Sequence, residues 1–113
     1  MIITKDDLTN NSLDSNKMLQ RAQQTTAFLK SVAHTSRLMI LCRLAEKSAS
    51  VGELEKFLDI PQAEVSKQLA RLRKENFVSA TRKGRSIIYS ISDVRARILV
   101  DTLYDIFCTN SFD

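Results

Sequence analysis

Two cysteines are the side chains of this sequence with the most distinctive chemistry. Cys42 and Cys108 lie in opposite halves of a chain of 113 residues. A thiol oxidoreductase would need a close pair such as Cys-x-x-Cys at the start of a helix, and the sequence contains no such pair. Neither a Ser-His-Asp arrangement nor a glycine-rich phosphate loop is present, so the sequence does not predict an enzyme.

The residues around each cysteine leave its role open. Cys42 falls on the apolar stripe of a predicted helix, which is typical of a thiol packed in a core. Cys108 lies near the end of another predicted helix, where it shares a face with Asp101 and Tyr104 and points away from the apolar residues. A cysteine at this position could be accessible or could pack against the second helix. Neighbouring acids and a helix C-terminus disfavour a thiolate there.

Positive charge is concentrated in one segment. The net charge is +4, and residues 62–86 contribute +5 while the rest of the chain sums to −1. A basic run can be an ordinary solvated face. Here, however, the whole excess of positive charge lies in one segment, which favours a polyanion as partner. The cations are Lys67, Arg71, Arg73, Lys74, Arg82, Lys83 and Arg85.

Composition indicates one small, mainly helical domain. The chain is 43% hydrophobic and 27% charged, with two Gly and one Pro, which leaves few turns for an all-β fold. Its longest apolar run, Leu38 to Cys42, is far shorter than the ~18 residues of a membrane span. The polar start predicts a flexible arm over residues 1–14 rather than a signal peptide, followed by a domain over 15–113. We therefore expect a cytoplasmic protein, without membrane association, whose cysteines are reduced at rest.

Apolar periodicity and capping signals predict five helices. Ser50 and Glu53 form the Ser-x-x-Glu capping box of the third helix, and Pro61 suits the first position of the fourth. The second helix is expected to face the core through Leu38, Leu41, Cys42 and Ala45, and the third through Val51, Leu54, Phe57 and Leu58. The first helix is predicted to begin after Asp14 or Ser15 and to run to about Val32. The next three are predicted over Thr35–Glu46, Val51–Leu58 and Gln62–Asn76. The last is capped by Ser92 or Asp93 and runs to about Thr109.

The fourth helix has two contrasting faces. Val65, Leu69 and Leu72 follow the spacing of a core-facing stripe. The opposite face holds small residues among long cations, so the helix could lie close to the floor of a DNA groove while its cations reach phosphates. That outer face consists of Ala63, Lys67, Ala70, Arg71 and Lys74, with Ser66 at its flank. A short helix, a tight turn and this second helix predict a helix-turn-helix.

A β-hairpin follows at once. The β-rich stretches 77–82 and 86–91 flank a turn that contains Gly84. The cations Arg82, Lys83 and Arg85 lie at the tip, where they could keep the hairpin soluble or rest on a DNA backbone. Their position after a basic helix-turn-helix favours the second interpretation, a wing. The predicted fold class is therefore mainly α with a small β-hairpin, a winged helix-turn-helix.

The last helix carries a strong apolar stripe. The middle helices already supply a core, so this stripe and the modest one on the first helix predict a homodimer through the first and last helices. The stripe of the last helix is Leu99, Leu103, Ile106 and Phe107.

Taken together, these segments resemble the ArsR/SmtB family of winged-helix repressors. The resemblance rests on FLKSVAHTSRLMILCRL and on SVGELEKFLDIPQAEVSKQLARLRKENFVSATRKGRSIIYSI. It implies double-stranded operator DNA as partner, with the wing at Arg82, Lys83 and Arg85. It also implies base-contacting positions at Gln62, Ala63, Ser66 and Lys67.

The metal motifs of that family are missing here. Ser50 and Gly52 stand where one motif has paired cysteines, and the last helix lacks the histidine that the other motif needs. The sole histidine, His34, is assigned a structural role at a helix start, so neither a metal nor a cofactor is predicted.

The end of the chain and the stretch Leu41-Cys42-Arg43 resemble the BigR/SqrR subgroup. This resemblance implies that Cys42 and Cys108 form a reversible disulfide or polysulfide link in response to reactive sulfur species or oxidants. The link would release DNA and induce sulfide-detoxification genes. The alternatives are a repressor of the same fold that responds to a metal or another ligand, or one whose cysteines are only structural.

Overall fold

The computed structural model describes residues 14–108, which divide into two units between His34 and Thr35. The first unit contains helix α1, Ser15–Val32. Asp14 begins it by accepting a hydrogen bond from the backbone N–H of Lys17 at 2.8 Å. Most of the predicted arm, residues 1–13, lies outside the described residues.

The second unit contains four helices and a small sheet, which confirms the predicted mainly helical fold with a hairpin. The sheet is antiparallel with strand order β1-β3-β2. In chain order the elements are α2 (Thr35–Glu46), β1 (Ala49–Ser50), α3 (Val51–Leu58), α4 (Gln62–Lys74), β2 (Val78–Lys83), β3 (Ser86–Ile91) and α5 (Val94–Phe107).

Helix α3 begins at the predicted capping box. The Ser50 hydroxyl accepts from the Glu53 N–H at 3.2 Å, and the Glu53 carboxylate accepts from the Ser50 N–H at 2.9 Å. The second of these bonds holds the pKa of Glu53 below its ordinary value. Two orphan donors are satisfied in this way, so the start of the helix-turn-helix is set locally.

The turn between α3 and α4 differs in one detail from the prediction. Asp59 ends α3 in the left-handed conformation at φ 55°. Pro61 then occupies the N-cap of α4 rather than its first helical position. Its carbonyl accepts from the N–H groups of Glu64 and Val65, both at 3.0 Å, while its missing donor costs nothing at a helix start.

Helix α4 ends at Lys74, two residues before the predicted Asn76. Asn76 adopts a left-handed φ of 65°, and the N–H of Phe77 donates to the carbonyl of Leu72 at 2.8 Å. This is the Schellman pattern of a helix end, and it sends the chain directly into β2.

The core of the second unit corrects one predicted helix face. Of the stripe predicted for α2, only Leu41 is fully buried, and the other buried residues of that helix are Ile40 and Leu44. Leu38, Cys42 and Ala45 are half-buried. Apolar residues cover so much of the circumference of α2 that periodicity alone does not select the buried face. The remaining core comprises Ala49, Leu54, Ile60, Val65, Leu69, Leu72, Phe77, Val78, Ala96 and Val100.

The hairpin has the predicted strands plus a short third one. Lys83 pairs with Ser86 across a two-residue turn, in which Gly84 has φ 62°. A positive φ at the first turn position is typical of a type II′ hairpin and favours glycine. The unpredicted strand β1 pairs Ala49 with Tyr89 and Ser50 with Ile88, and so ties the start of α3 to the sheet.

Asp93, one of the two capping residues predicted, is the N-cap of helix α5, which begins at Val94. The Asp93 carboxylate accepts from the N–H groups of Arg95 and Ala96 and also pairs with the Arg95 guanidinium at 3.0 Å. These bonds, with that from the Arg95 side chain foremost, hold the pKa of Asp93 below its ordinary value. The helix ends at Phe107, before the predicted Thr109, which lies outside the described residues.

Candidate nucleic-acid interface and thiol cavity

Helix α4 presents the two faces that its sequence predicts. Val65, Leu69 and Leu72 are buried at 0%, 1% and 0% exposure. The predicted contact residues of this helix are all exposed: Gln62, Ala63, Ser66, Lys67 and Arg71. A surface of three small or polar side chains followed by two cations is therefore exposed beside the turn from α3.

One buried polar residue of α4 escaped the sequence analysis. Gln68 is only 2% exposed, and its amide donates to the carboxylate of Glu64 at 2.8 Å. The i, i+4 spacing of the two residues was the available signal. The bond holds the Glu64 side chain along the first turn of α4, next to the exposed face.

The hairpin tip exposes the second basic group. Arg82, Lys83 and Arg85 are all exposed around the two-residue turn. The Arg82 Nε donates to the carbonyl of Gly84 at 3.3 Å, which orients that guanidinium along the tip. Long flexible cations on a rigid two-stranded ribbon suit contact with a phosphate backbone.

A cavity of about 730 Å³ lies between α2, α3 and α5. Its size falls within the range of roughly 300–1,000 Å³ that is common for small-molecule sites. Both cysteines line it, together with Arg43, Glu46, Asp101 and Tyr104. The other walls are apolar: Leu38, Met39, Ala45, Phe57, Leu58 and Val100.

The cavity brings together the two thiols that are far apart in sequence. Cys42 is half-buried and Cys108 is exposed, and both are free cysteines. Burial raises the pKa of the Cys42 thiol, and the charges of Cys108, Asp101 and Glu46 raise it further. Cys42 is therefore a weak nucleophile at neutral pH and lies within electrostatic reach of Cys108.

One neighbouring side chain was assigned wrongly from the sequence. Phe57 was predicted to pack in the core, yet it is 61% exposed and lines the cavity. Arg43 lines the same cavity. The Arg43 guanidinium lies 4.1 Å from the centre of the Phe57 ring and pairs with Glu46 at 3.1 Å. This geometry is that of a cation–π contact, which stabilises the exposed ring by a modest amount.

Within residues 14–108, no three His, Cys, Asp or Glu side chains are grouped so that they could hold a metal ion. No helix in this part of the chain is both long enough and apolar enough to cross a membrane.

A short helix, a tight turn, a second helix with a basic outer face and a basic hairpin define the winged helix-turn-helix class. Residues 34–80 match the bacterial regulatory protein, arsR family. The chain is also 43% identical over 91 residues to the biofilm growth-associated repressor of Agrobacterium fabrum, covering 80% of this chain and 78% of that protein. The chain belongs to the arsR family of bacterial regulatory proteins.

Two further relatives support this placement. The crystal structure of the transcriptional repressor BigR from Xylella fastidiosa superposes with a TM-score of 0.77 at 38% identity, covering 86% of this chain and 99% of that one. The transcriptional activator HlyU of Vibrio cholerae is 29% identical over 81% of this chain and 85% of its own length. Because the relatives are transcription regulators, the prediction of a regulator rather than an enzyme is confirmed.

Proposed function

We propose that this protein is a homodimeric transcription repressor that leaves its operator when reactive sulfur species link Cys42 to Cys108. The observation that carries the proposal is that both thiols line one cavity between α2 and α5. The relatives named as repressors support the direction of control.

Operator binding is assigned to the exposed faces of α4 and the hairpin. Gln62, Ala63, Ser66 and Lys67 would lie in the major groove, where base edges are distinguishable. Arg71 and the hairpin cations Arg82, Lys83 and Arg85 would bind phosphates, which adds affinity that is independent of sequence.

The dimer is assigned to apolar residues that the fold leaves uncovered. On α5, Ala96 and Val100 are buried, whereas Ile106 and Phe107 are 39% and 67% exposed. Leu99 and Leu103 are half-buried beside them. A second copy of the chain would cover this surface and would place two copies of α4 on a two-fold operator. Helix α1 would contribute its own exposed Leu19 and Leu29.

The proposed thiol reaction balances without a further oxidant, because the persulfide itself is the oxidant. One thiolate attacks the terminal sulfur of a persulfide such as glutathione persulfide, which gives a cysteine persulfide and releases glutathione. The second thiol then attacks the inner sulfur of this persulfide. The Cys42–Cys108 disulfide forms, and the outer sulfur leaves as hydrogen sulfide. If both cysteines first become persulfides, loss of one hydrogen sulfide gives a trisulfide instead. The exposed Cys108 is the thiol that a reagent meets first.

The link would reach the DNA-binding surface through the helices that carry the cysteines. Helix α2 also lines the cavity with Arg43, which contacts Phe57 on the first helix of the helix-turn-helix. Helix α5 carries the surface assigned to the dimer, so its displacement would change the spacing of the two copies of α4. A 100-fold loss of affinity needs only about 2.7 kcal/mol of coupling.

The test compares the parent with Cys42→Ser, Cys108→Ser and the double variant on promoter DNA, with and without glutathione persulfide. We expect all four proteins to bind DNA when untreated. Only the parent should leave DNA, with a mass that shows an intramolecular disulfide or trisulfide.

The double variant is the decisive sample. If it leaves DNA after treatment as the parent does, the cysteines are packing residues and the inducer is a different ligand. If the parent shows the crosslink but retains full affinity, the thiols do not control DNA binding. If only the parent leaves DNA, cells given sulfide should lose repression and induce the sulfide-detoxification genes.

A further inference from the structure

The first turn of α4 carries a carboxylate among the residues assigned to base contacts. Glu64 lies between the exposed Ala63 and Ser66 and is itself half-buried at the edge of that face. The exposed Arg71 is seven residues further on, which places it within about 20° of Glu64 around the helix. In a helix-turn-helix, the N-terminal residues of the second helix contact the base edges. Glu64 therefore lies on the side of α4 that is assigned to DNA, at the end nearest the bases.

The Glu64 side chain is held in place by a buried amide. Gln68 is only 2% exposed, and its Nε2 donates to Oε1 of Glu64 at 2.8 Å. A carboxylate accepts hydrogen bonds at both of its oxygens, so this bond leaves Glu64 able to accept another. Because the rotamer is already fixed, the side chain would lose little further entropy on binding a base.

Gln68 is an unfavourable side chain for the core. Within residues 14–108 its Oε1 accepts no hydrogen bond, although the atom is buried. A buried polar atom without a partner lowers stability, and an apolar side chain of the same size would avoid that loss. An acid in the first turn is stabilised by the helix dipole in any case, without a partner on the next turn. What the amide does provide is a fixed position for the carboxylate.

A carboxylate in the major groove distinguishes bases by the groups that they present. It has no donor, so it can accept only from the amino groups of cytosine and adenine. Adenine presents its N7 acceptor beside the amino group, and this lone pair would face the carboxylate, whereas cytosine presents the amino group alone. Guanine and thymine present acceptors, which repel a carboxylate. Cytosine is therefore the base that fits Glu64.

We propose that Glu64 is a specificity-determining residue that accepts a hydrogen bond from the amino group of an operator cytosine, with Gln68 as its positioning residue. This inference rests on the proposed function, because it needs α4 in the major groove of the operator. A two-fold dimer would read one such cytosine in each half-site. The negative charge of Glu64 also repels phosphates, so it lowers affinity for DNA that lacks this cytosine.

Glu64→Gln is the sharpest variant, because it keeps the shape of the side chain and an oxygen that can accept from Gln68. That bond would turn the new NH2 group toward the base, where it can donate to O4 of thymine but cannot accept from cytosine. Parent and variant are each used to select binding sites from a random double-stranded library under reducing conditions. We expect the variant to lose the cytosine at one position in each half-site and to accept thymine there.

Fluorescence anisotropy then compares the parental operator with one that carries T·A in place of that C·G pair. The parent should prefer the C·G operator by at least about 10-fold, the usual size for a base contact. Glu64→Gln should reduce this preference to below about 2-fold or reverse it, and should bind unrelated DNA at least as tightly as the parent. Glu75→Gln changes an exposed carboxylate at the other end of α4 and should keep the parental preference.

Gln68→Met tests the positioning role, since it keeps the volume of the side chain and removes the donor. We expect the preference for the C·G operator to fall to about 3-fold, because the carboxylate is present but no longer fixed. The midpoint of thermal unfolding should be unchanged or higher. A lower midpoint with the full parental preference would show that the bond only stabilises the helix, and would overturn the role of Gln68.

Two results would overturn the role of Glu64. One is selection of the same site by Glu64→Gln as by the parent. The other is equal weakening of Glu64→Gln on operator and unrelated DNA, which indicates a structural defect. A parent that selects no sequence would contradict the proposed operator binding itself, and this inference with it. The thiols take no part in these measurements, so failure of the persulfide response would leave them unchanged.

Discussion

The guanidinium of Arg97 donates a hydrogen bond from Nη1 to the backbone carbonyl of Ala45 at 3.0 Å. The bond joins the first turns of α5 to the last turn of α2, where helical carbonyls have no partner within the helix. A cation at a helix C-terminus also interacts favourably with the helix dipole. Arg97 thus fixes the helix that carries Cys108 against the helix that carries Cys42.

Removal of this bond should loosen the two helices. Arg97→Ala is expected to lower the free energy of unfolding by about 1.5–3 kcal/mol, the usual size for a hydrogen bond to a charged group. Urea denaturation measures the change, and Arg97→Lys should recover part of it because the positive charge is kept. An unchanged urea midpoint in Arg97→Ala would show that the bond contributes nothing to stability.

The raised pKa of Cys42 predicts a distinct pH dependence. Because the thiolate is the nucleophile, alkylation of Cys42 by neutral iodoacetamide in Cys108→Ser should reach half its maximal rate above the ordinary thiol pKa. Burial is the main cause and persists in this variant, while the contribution of Cys108 is removed. Asp101→Asn should move the midpoint down, and the unfolded chain should show the ordinary profile. A midpoint at or below the ordinary value would contradict the assignment.

The same shift has a consequence for stability. Cys42 holds its proton more tightly in the folded chain than in the unfolded one. The raised pKa of Cys42 therefore adds to the free energy of unfolding in full below the ordinary thiol pKa. This contribution declines as pH rises through the raised pKa of the folded chain. Parent and Cys42→Ser should accordingly differ in the slope of unfolding free energy against pH only in the alkaline range.

The two parts of the proposed DNA surface should differ in their salt dependence. Arg85→Ala is expected to weaken binding to all DNA sequences equally and to reduce the slope of log affinity against log salt by about one unit. Lys67→Ala and Ser66→Ala should instead reduce the preference for operator over unrelated DNA. Fluorescence anisotropy across a salt series separates the two effects, with Lys47→Ala as a control outside the basic segment. Parental binding by all three variants would refute this docking surface.

The assigned dimer surface is tested by a charge on α5. Leu103→Asp should produce monomers and abolish tight operator binding, because a buried carboxylate without a partner is costly. Leu103 is half-buried within its own chain, so Ile106→Asp, at an exposed position, guards against a folding defect. Ile98 is 54% exposed and does not belong to the surface assigned to the dimer, so Ile98→Asp serves as the matched control. Sedimentation of the parent as a monomer at micromolar concentration would rule out a constitutive dimer.

Local signals in the sequence predicted the elements of this fold well. The capping box at Ser50 and Glu53, the N-cap at Asp93 and the glycine turn at Gly84 each depend on residues within a few positions of one another. The buried stripe of α4 was also predicted correctly, because cations leave that helix with one apolar face. The exposure of the outer residues of α4 and of the hairpin tip was predicted from the same contrast between charged and apolar positions.

The tertiary structure alone decided which face of α2 is buried and what surrounds the thiols. Apolar residues lie on several sides of α2, so its burial depends on where α4, α5 and the sheet pack, and these contacts are distant in sequence. The strand β1 is two residues long and exists only because β3 pairs with it. Phe57 lies at the surface, where its ring contacts the Arg43 guanidinium on another helix. The cavity shared by Cys42 and Cys108 is likewise a product of packing between α2 and α5, since no local pattern encodes the approach of two helices.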